Sequence, residues 1–340
     1  MRKLLNVLYI TRPEGYLKKD GLNLVVFVGD EEIFRIPIHN IEGVVSYGYM
    51  GASPGAIKLC VDNKVSLSFH TPSGRFIARA QGPTHGNVLL RKRQYHLSED
   101  EEFALSLSRI MIAGKIQNYR YIIRRAIRDN GANEELEYAA KRLEWQKKEA
   151  LRAENAGALR GIEGVAASEY FNVLPQMIIQ QKNDFPFEGR VKHPPVGRVN
   201  VLLSFAYTLI ANEMTSALDS VGLDPYVGFL HTLRPGRASL ALDMMEELRA
   251  YLGDRLVLSL INRRQITAHD FIQQSDDSTV LSDNGRKTII TAWQERKKTE
   301  IMHPYLGEKI PIGLLPHAQA MLMARYLRGD IDNYPVFLLK

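Results

Sequence analysis

The residues best suited to chemistry lie in two stretches of the chain. Glu163 sits in GIEGVAASEYF, where Leu159, Ala166, Ala167 and Tyr170 take the i−4, i+3, i+4 and i+7 positions of a helical pattern. An ionised carboxylate among such neighbours needs water, a counter-charge or a metal ion. A salt bridge to Arg160 or another basic residue satisfies it as well as a cation does. In ASLALDMMEELRAYL the apolar stripe Ala241, Met244, Met245, Leu248, Leu252 leaves Asp243, Glu246 and Glu247 together on another face. At i, i+3 and i+4 these carboxylates repel, and a hard divalent cation would relieve the repulsion. A solvated acidic face gives the same pattern. His231 precedes Asp243 in YVGFLHTLRPGR, with Arg234 and Arg237 close behind. One imidazole nitrogen with carboxylate oxygens suits Mg²⁺ or Mn²⁺ in phosphoryl-transfer chemistry, and the arginines can hold phosphates.

A possible substrate surface lies upstream. Arg120, Arg124 and Arg128 recur at i, i+4 and i+8 along one side of a helical pattern, a line able to follow a phosphate backbone. Pairing with the Glu134, Glu135, Glu137 group, or plain solvation, explains the line equally well. The whole chain has 44 Lys+Arg against 38 Asp+Glu, a net charge of +6 that only weakly favours nucleic acid. The surplus lies in the first 131 residues, and the remainder is near neutral.

Two kinds of element must position these residues. From Leu4 to about Gln81 the sequence has short Val/Ile/Phe-rich runs broken by turn residues: LLNVLYI, NLVVFVG, IFRIPI, EGVVSYG, VSLSFH and RFIARA. One helix interrupts them at 54–63, where Ser53 can cap and Pro54 suits the first helical position. Beyond Gly82 the period changes to 3.6, with helical patterns at about 101–128, 133–155, 158–181, 198–221, 238–252, 284–299 and 316–328. The fold class expected is α+β: a β-rich domain over 1–85, a linker over 86–100 and a larger all-α domain over 101–340.

Several chemistries are excluded or weak. The glycines at 48, 51 and 55 lack the Lys and hydroxyl residue of a phosphate loop, and no GxSxG nucleophile elbow occurs. Cys60 is the only cysteine, so cysteine-pair zinc sites and internal disulfides are impossible; a reducing, cytoplasmic setting is the expectation. A di-iron bundle needs two Glu-x-x-His pairs, and only Glu300 to His303 is present. The N-terminus lacks the apolar core of a signal peptide, and the longest uninterrupted apolar runs fall far short of a bilayer span, so no membrane role is expected.

With these residues in view, the chain resembles a known family, the universal CRISPR-associated integrase/endonuclease, the larger of the two core proteins of spacer acquisition. GIEGVAASEYF is similar to the family's acidic helix, PPVGRVNVLLSFAYTLI to the segment after it, and GLDPYVGFLHTLRPGRASLALDMMEELR to the stretch bearing the other ligands. LINRRQI, GRKTIITAWQERK, EIMHPYL and ARYLRGDIDNYP look most like the subtype I-C branch. The resemblance implies catalytic and metal-ligand roles for Glu163, His231 and Glu246, with Asp243 near the metal, and Mg²⁺ or Mn²⁺ as the ion. It implies a homodimer built on the N-terminal domain, acting on double-stranded DNA with a small ferredoxin-like adaptation protein and an iron–sulfur nuclease of the same operon. The implied reaction inserts short foreign DNA into the CRISPR array by 3′-hydroxyl attack on a phosphodiester at the repeat boundary. A DNA-binding architectural subunit without chemistry is the alternative.

Overall fold

A computed structural model describes residues 6–72, 76–82, 88–191, 194–274 and 278–339. Leu4 and Leu5 of the first apolar run, residues 83–85 at the end of the expected β-rich domain, and residues 86 and 87 of the expected linker lie outside them.

The N-terminal part is built from strands β1 (Val7–Ile10), β2 (Gly15–Asp20), β3 (Asn23–Val28), β4 (Glu31–Pro37), β5 (Gly43–Tyr47), β6 (Ser66–His70) and β7 (Phe76–Ala80), with helix α1 (Pro54–Asp62) between β5 and β6. β2, β3 and β4 form an antiparallel sheet, and β1, β5, β6 and β7 a second, mixed one. Within the latter β5 runs parallel to both neighbours, and α1 is the crossover that parallel β5 and β6 require. Ser53 caps α1 by accepting the Ala56 N–H at 3.2 Å, with Pro54 at the first position, as its sequence predicts. β2 was not among the expected strands. It is an edge strand whose Lys18, Lys19 and Asp20 are exposed, so its only strong apolar signal is buried Leu17.

The rest is mainly helical: α2 (Val88–Glu99), α3 (Glu101–Asn130), α4 (Glu134–Arg152), α5 (Ala156–Met177), α6 (Arg198–Val221), α7 (Ser239–Leu248), α8 (Arg255–Asn262), α9 (Asp283–Lys298) and α10 (Leu315–Arg328). Asp100, Asn133 and Asn155 cap α3, α4 and α5 through their side-chain oxygens. The α+β class expected from the sequence holds. Two details differ. Most of the segment read as a linker is α2, whose fully buried Gln94 donates to the Asp224 and Val227 carbonyls and accepts from the Asp224 N–H. Two short hairpins, β8 (Phe271–Gln273) with β9 (Thr279–Leu281) and β10 (Glu300–Met302) with β11 (Lys309–Pro311), interrupt the helices. With three residues per strand they are too brief to show a period.

The two parts share β5. Val44 packs in a small core with Leu17, Leu24, Leu59 and Leu67, while Val45 and Tyr47 face the helical core, as strand alternation requires. A salt bridge from Arg79 on β7 to Asp219 on α6, at 2.8 Å, adds a polar tie. Helix α6 is long and apolar enough to cross a membrane by length and composition, with mean hydropathy 1.3 over its best window, although its uninterrupted apolar runs are short. Its Val199, Leu202, Leu203, Ala206 and Ile210 are buried in the helical core.

Helix α7 does not run on to residue 252 as its pattern suggests. A π-helical segment over Arg249–Asp254 separates it from α8 and inserts wider turns into the register. Just before it, Glu247 is buried and accepts hydrogen bonds from Gln319 Nε2 at 3.0 Å, from the Tyr334 hydroxyl and from the Phe337 N–H, anchoring the C-terminal segment. Burial pushes the Glu247 carboxyl up to about 7 against these donors. A carboxyl raised in the folded state binds more protons folded than unfolded, so its contribution to stability is present below its ordinary value and lost as pH rises through about 7. Urea unfolding between pH 4.5 and 7.5 should therefore show wild-type stability falling relative to Glu247→Gln, by an amount on the order of 3 kcal/mol across the window. Parallel profiles for the two proteins would contradict the assignment.

Candidate active site

Three helices and one loop converge on a cavity of about 280 Å³ lined by Ile112, Arg160, Glu163, Leu230, His231, Thr232, Arg234, Arg237 and Glu246. Glu163 comes from α5, Glu246 from α7, and His231, Arg234 and Arg237 from the loop before α7. Residues 163, 231 and 246 thus share one cavity despite their separation in the chain.

The centre of the site is a residue that sequence reasoning counted only as part of the basic surplus. Lys115, on α3, is 3% exposed and its Nζ bridges Glu163 Oε1 and Glu246 Oε2, the latter at 2.8 Å. Arg249, the first residue of the π segment, contacts Glu246 Oε1 at 2.7 Å. Burial alone would raise the Glu246 carboxyl, but Arg249 and then Lys115 outweigh it and hold it down at about 2. Burial alone would discharge Lys115, yet Glu246, with help from Glu163, keeps the ammonium above its ordinary range. The signal for Lys115 was available: a charged residue among Met111, Ile112, Ile116 and Tyr119 on a buried helix face must have a partner. The salt bridge weighed for Glu163 does form, with Lys115 as the basic residue rather than Arg160. Arg160 instead reaches Thr232 Oγ1 at 3.3 Å across the cavity.

The carboxylates of α7 do not form a solvated face. Asp243, Glu246 and Glu247 are all buried, and each has its own partners. Asp243 accepts the backbone N–H groups of Phe229, Leu230 and His231 at 2.7 to 3.0 Å, and lies 2.6 Å from His231 Nδ1. With its oxygens so occupied it is not among the cavity-lining residues, which argues against a direct metal-ligand role. Its contacts instead hold His231, through both the backbone N–H and the ring. A proton on Nδ1 held toward Asp243 leaves Nε2 as the nitrogen with a free lone pair for the cavity, the carboxylate–histidine arrangement that fixes a metal-binding tautomer.

Among the described residues no three His, Cys, Asp or Glu side chains already form a metal-binding group, since Lys115 stands between the two carboxylates. The donor chemistry nevertheless fits a hard divalent ion. Glu246 Oε2 is buried and, although close to Lys115, lacks an aligned hydrogen bond, so that contact is a charge pairing rather than a directed bond. Glu163 and His231 remain partly exposed to the cavity, with side-chain exposures of 31% and 24%.

Of the basic residues read as DNA contacts, Arg234 and Arg237 line the cavity and Arg120, Arg124 and Arg128 do not. Arg120 pairs with Glu144 of α4 at 3.3 Å and Arg128 lies 3.6 Å from Asp129, while Arg124 is exposed. The pairing alternative was right in kind for Arg120, although the partner is Glu144 rather than the group at 134–137.

The Asp243 loop depends on a close approach. A Cβ on Gly228 would lie 2.5 Å from Asp243 Oδ2 and under 3 Å from the backbone of Ser239 and Leu240. Gly228→Ala should lower stability by about 1–3 kcal/mol through overpacking, read as a lower urea midpoint. An unchanged midpoint would show that the loop is not held as described.

The sequence matches the family model described as CRISPR associated protein Cas1 over residues 8–295. It is 47% identical to the CRISPR-associated endonuclease Cas1 1 of Chlorobaculum tepidum, over 99% of both chains, and 46% identical to the CRISPR-associated endonuclease Cas1 2 of Rhodospirillum rubrum, over all of both. A Cas1 protein from Thermotoga maritima has a similar fold, with a TM-score of 0.82 at 22% identity over 98% of this chain and 100% of that one. Sequence and fold agree that the chain belongs to the Cas1 family of CRISPR-associated proteins.

Proposed function

We propose that this chain is a metal-dependent DNA integrase and endonuclease of CRISPR adaptation, and that its chemistry takes place in the Glu163–His231–Glu246 cavity. The observation that carries the reading is the convergence of those three donors with Arg160, Arg234 and Arg237 around one cavity. In the integration reaction the 3′-hydroxyl of a short DNA fragment attacks a phosphodiester at the repeat boundary. A new P–O bond forms, the old one breaks, and the departing strand leaves with its own 3′-hydroxyl. One proton is lost by the attacking oxygen and one gained by the leaving oxygen, so no redox partner is needed. Water in place of the 3′-hydroxyl makes the same reaction a cleavage.

A Mg²⁺ or Mn²⁺ ion held by Glu163, His231 and Glu246 would stabilise charge on the phosphoryl oxygens. The chain's own groups prepare the site. Arg160, Arg234 and Arg237 offer planar guanidinium forks to the phosphate oxygens. Asp243 orients His231, and Lys115 with Arg249 keeps Glu246 ionised at every physiological pH. Family membership further supports a homodimer formed through the β-rich part, a small ferredoxin-like adaptation protein and an iron–sulfur nuclease as partners, subtype I-C as the branch, and the cytoplasm as the setting.

The second reading, a DNA-binding subunit without chemistry, is favoured by one observation: Lys115 already pairs with both carboxylates and Arg249 with Glu246. A strand-transfer assay with Mn²⁺ separates the two. Glu163→Gln and His231→Ala should each lower turnover on the order of 10²-fold or more while leaving DNA binding intact. Wild-type turnover that neither variant reduces would remove the assigned site, and DNA binding with no metal-dependent turnover would favour the second reading. Arg234→Ala with Arg237→Ala should reduce the slope of log affinity against log salt by roughly 2, one for each phosphate contact.

A further inference from the structure

A second cavity among the described residues is larger than the catalytic one. It measures about 430 Å³ and lies among the last turns of α3, α5 and α9 and the length of α8, with Arg125, Arg255, Arg263 and Arg296 on its walls. It shares no lining residue with the Glu163 cavity. Along α3, Lys115 and Arg125 are ten residues apart, about 15 Å at the helical rise.

The charge in this cavity is poorly compensated. Only Arg125 has a carboxylate partner, Asp129 at 3.1 Å, and Glu295 is the one other acid on the wall, at an exposed position. Among the described residues Arg255, Arg263 and Arg296 form no salt bridge. Arg255 and Arg296 are held by neutral groups instead. Their guanidinium carbons lie 5.3 and 5.0 Å from the Tyr251 ring centroid, and Arg296 Nη2 donates to the Tyr251 carbonyl at 2.7 Å. Arg296 Nε is buried with no hydrogen-bond partner. Burial, then the nearby Arg255 and Arg125, push the Arg296 guanidinium down to about 10. Like charges kept together in a cleft by an aromatic ring and a carbonyl constitute a preformed anion site, because guanidinium forks match tetrahedral oxyanions.

We propose that the Arg125–Arg255–Arg263–Arg296 cavity is a second phosphate-binding site, separate from the catalytic cavity. The shared ligand chemistry is a phosphoryl group, presented either by a DNA backbone or by a free polyphosphate. The backbone source rests on the DNA reading of this chain; the free source does not.

Two titrations of the full-length protein test it, comparing wild type with Arg263→Gln and with Arg255→Gln/Arg263→Gln. Arg263 is exposed, so the single variant should fold normally, and the circular dichroism spectrum with the urea unfolding midpoint reports whether either variant retains its native structure. In the first arm pyrophosphate is titrated calorimetrically; wild type should bind it saturably, with affinity reduced about tenfold or more in the double variant. In the second, duplex DNA binding is measured over a salt series; occupancy by the backbone should appear as a slope lower by about 1 in the single and 2 in the double variant. Loss of pyrophosphate binding with an unchanged DNA slope assigns the site to a free polyphosphate. A reduced slope assigns it to DNA, whatever the catalytic assay shows. If pyrophosphate affinity and DNA slope are the same in wild type and Arg263→Gln, the cavity is not a phosphate site.

Discussion

The candidate active site depends on one buried cation. Lys115 reaches from α3 to Glu163 on α5 and to Glu246 on α7, so a single ammonium fixes three helices that have little else polar in common. Ion pairs buried this deeply are an inefficient source of stability, because desolvating each charge costs several kcal/mol that the attraction only partly offsets. Arg249 makes the arrangement workable by giving Glu246 a second positive neighbour. Removing Lys115 would leave two carboxylates facing one cavity, which is unfavourable for an empty protein and suitable for one that binds a divalent ion. The lysine therefore keeps the two carboxylates electrically tolerable in the folded chain.

The π segment after α7 extends the same logic. Arg249 meets Glu246 as an ordinary i,i+3 helical neighbour where the segment begins, and five residues on Asp254 lies in the core beside the Tyr207 hydroxyl. The Arg249 guanidinium also lies 4.6 Å from the Tyr207 ring centroid, and Arg190 covers the same ring at 5.4 Å. Burial raises Asp254 to about 6, while the hydroxyls of Tyr207 and Tyr170 and the charge of Arg249 oppose the rise. A polar layer of arginine, tyrosine and carboxylate thus backs the cavity. A regular helix would have rotated one of these charges toward apolar neighbours, at a cost that would favour a different fold of this segment.

Much of this was legible in the sequence where a residue's type contradicted its surroundings. Glu163 stands out because a carboxylate on an apolar helix contradicts its surroundings, whereas the role of His231 rests on the family resemblance; the α+β division follows from the change of period near residue 82. Lys115 obeyed the same rule and was overlooked, since a single lysine in a 30-residue helix was grouped with the basic surplus. Arg120 shows the opposite limit. Its spacing with Arg124 and Arg128 is a true property of the helix, but α4 packs alongside and supplies Glu144, a partner no local pattern reveals. The three-residue hairpins and the π segment are hidden for a different reason, being shorter than the window over which periodicity can be read, while edge strand β2, as long as β3, is hidden by its exposed polar half.

Helix α7 shows most clearly why spacing alone does not assign roles. Positions i, i+3 and i+4 place three carboxylates within about 5–6 Å at their Cβ atoms, which suggests a common ligand or a common solvent face. In the folded protein their surroundings differ. The Asp243 side meets a loop whose three N–H groups have no strand or helix to pair with, the Glu246 side meets α3, and the Glu247 side meets the C-terminal segment and α10. Each carboxylate answers the unsatisfied donors of its own neighbour, and the repulsion between them is offset three times over by separate partners. Only Glu246 is left with an oxygen that no hydrogen bond claims, and it is the one that faces the cavity.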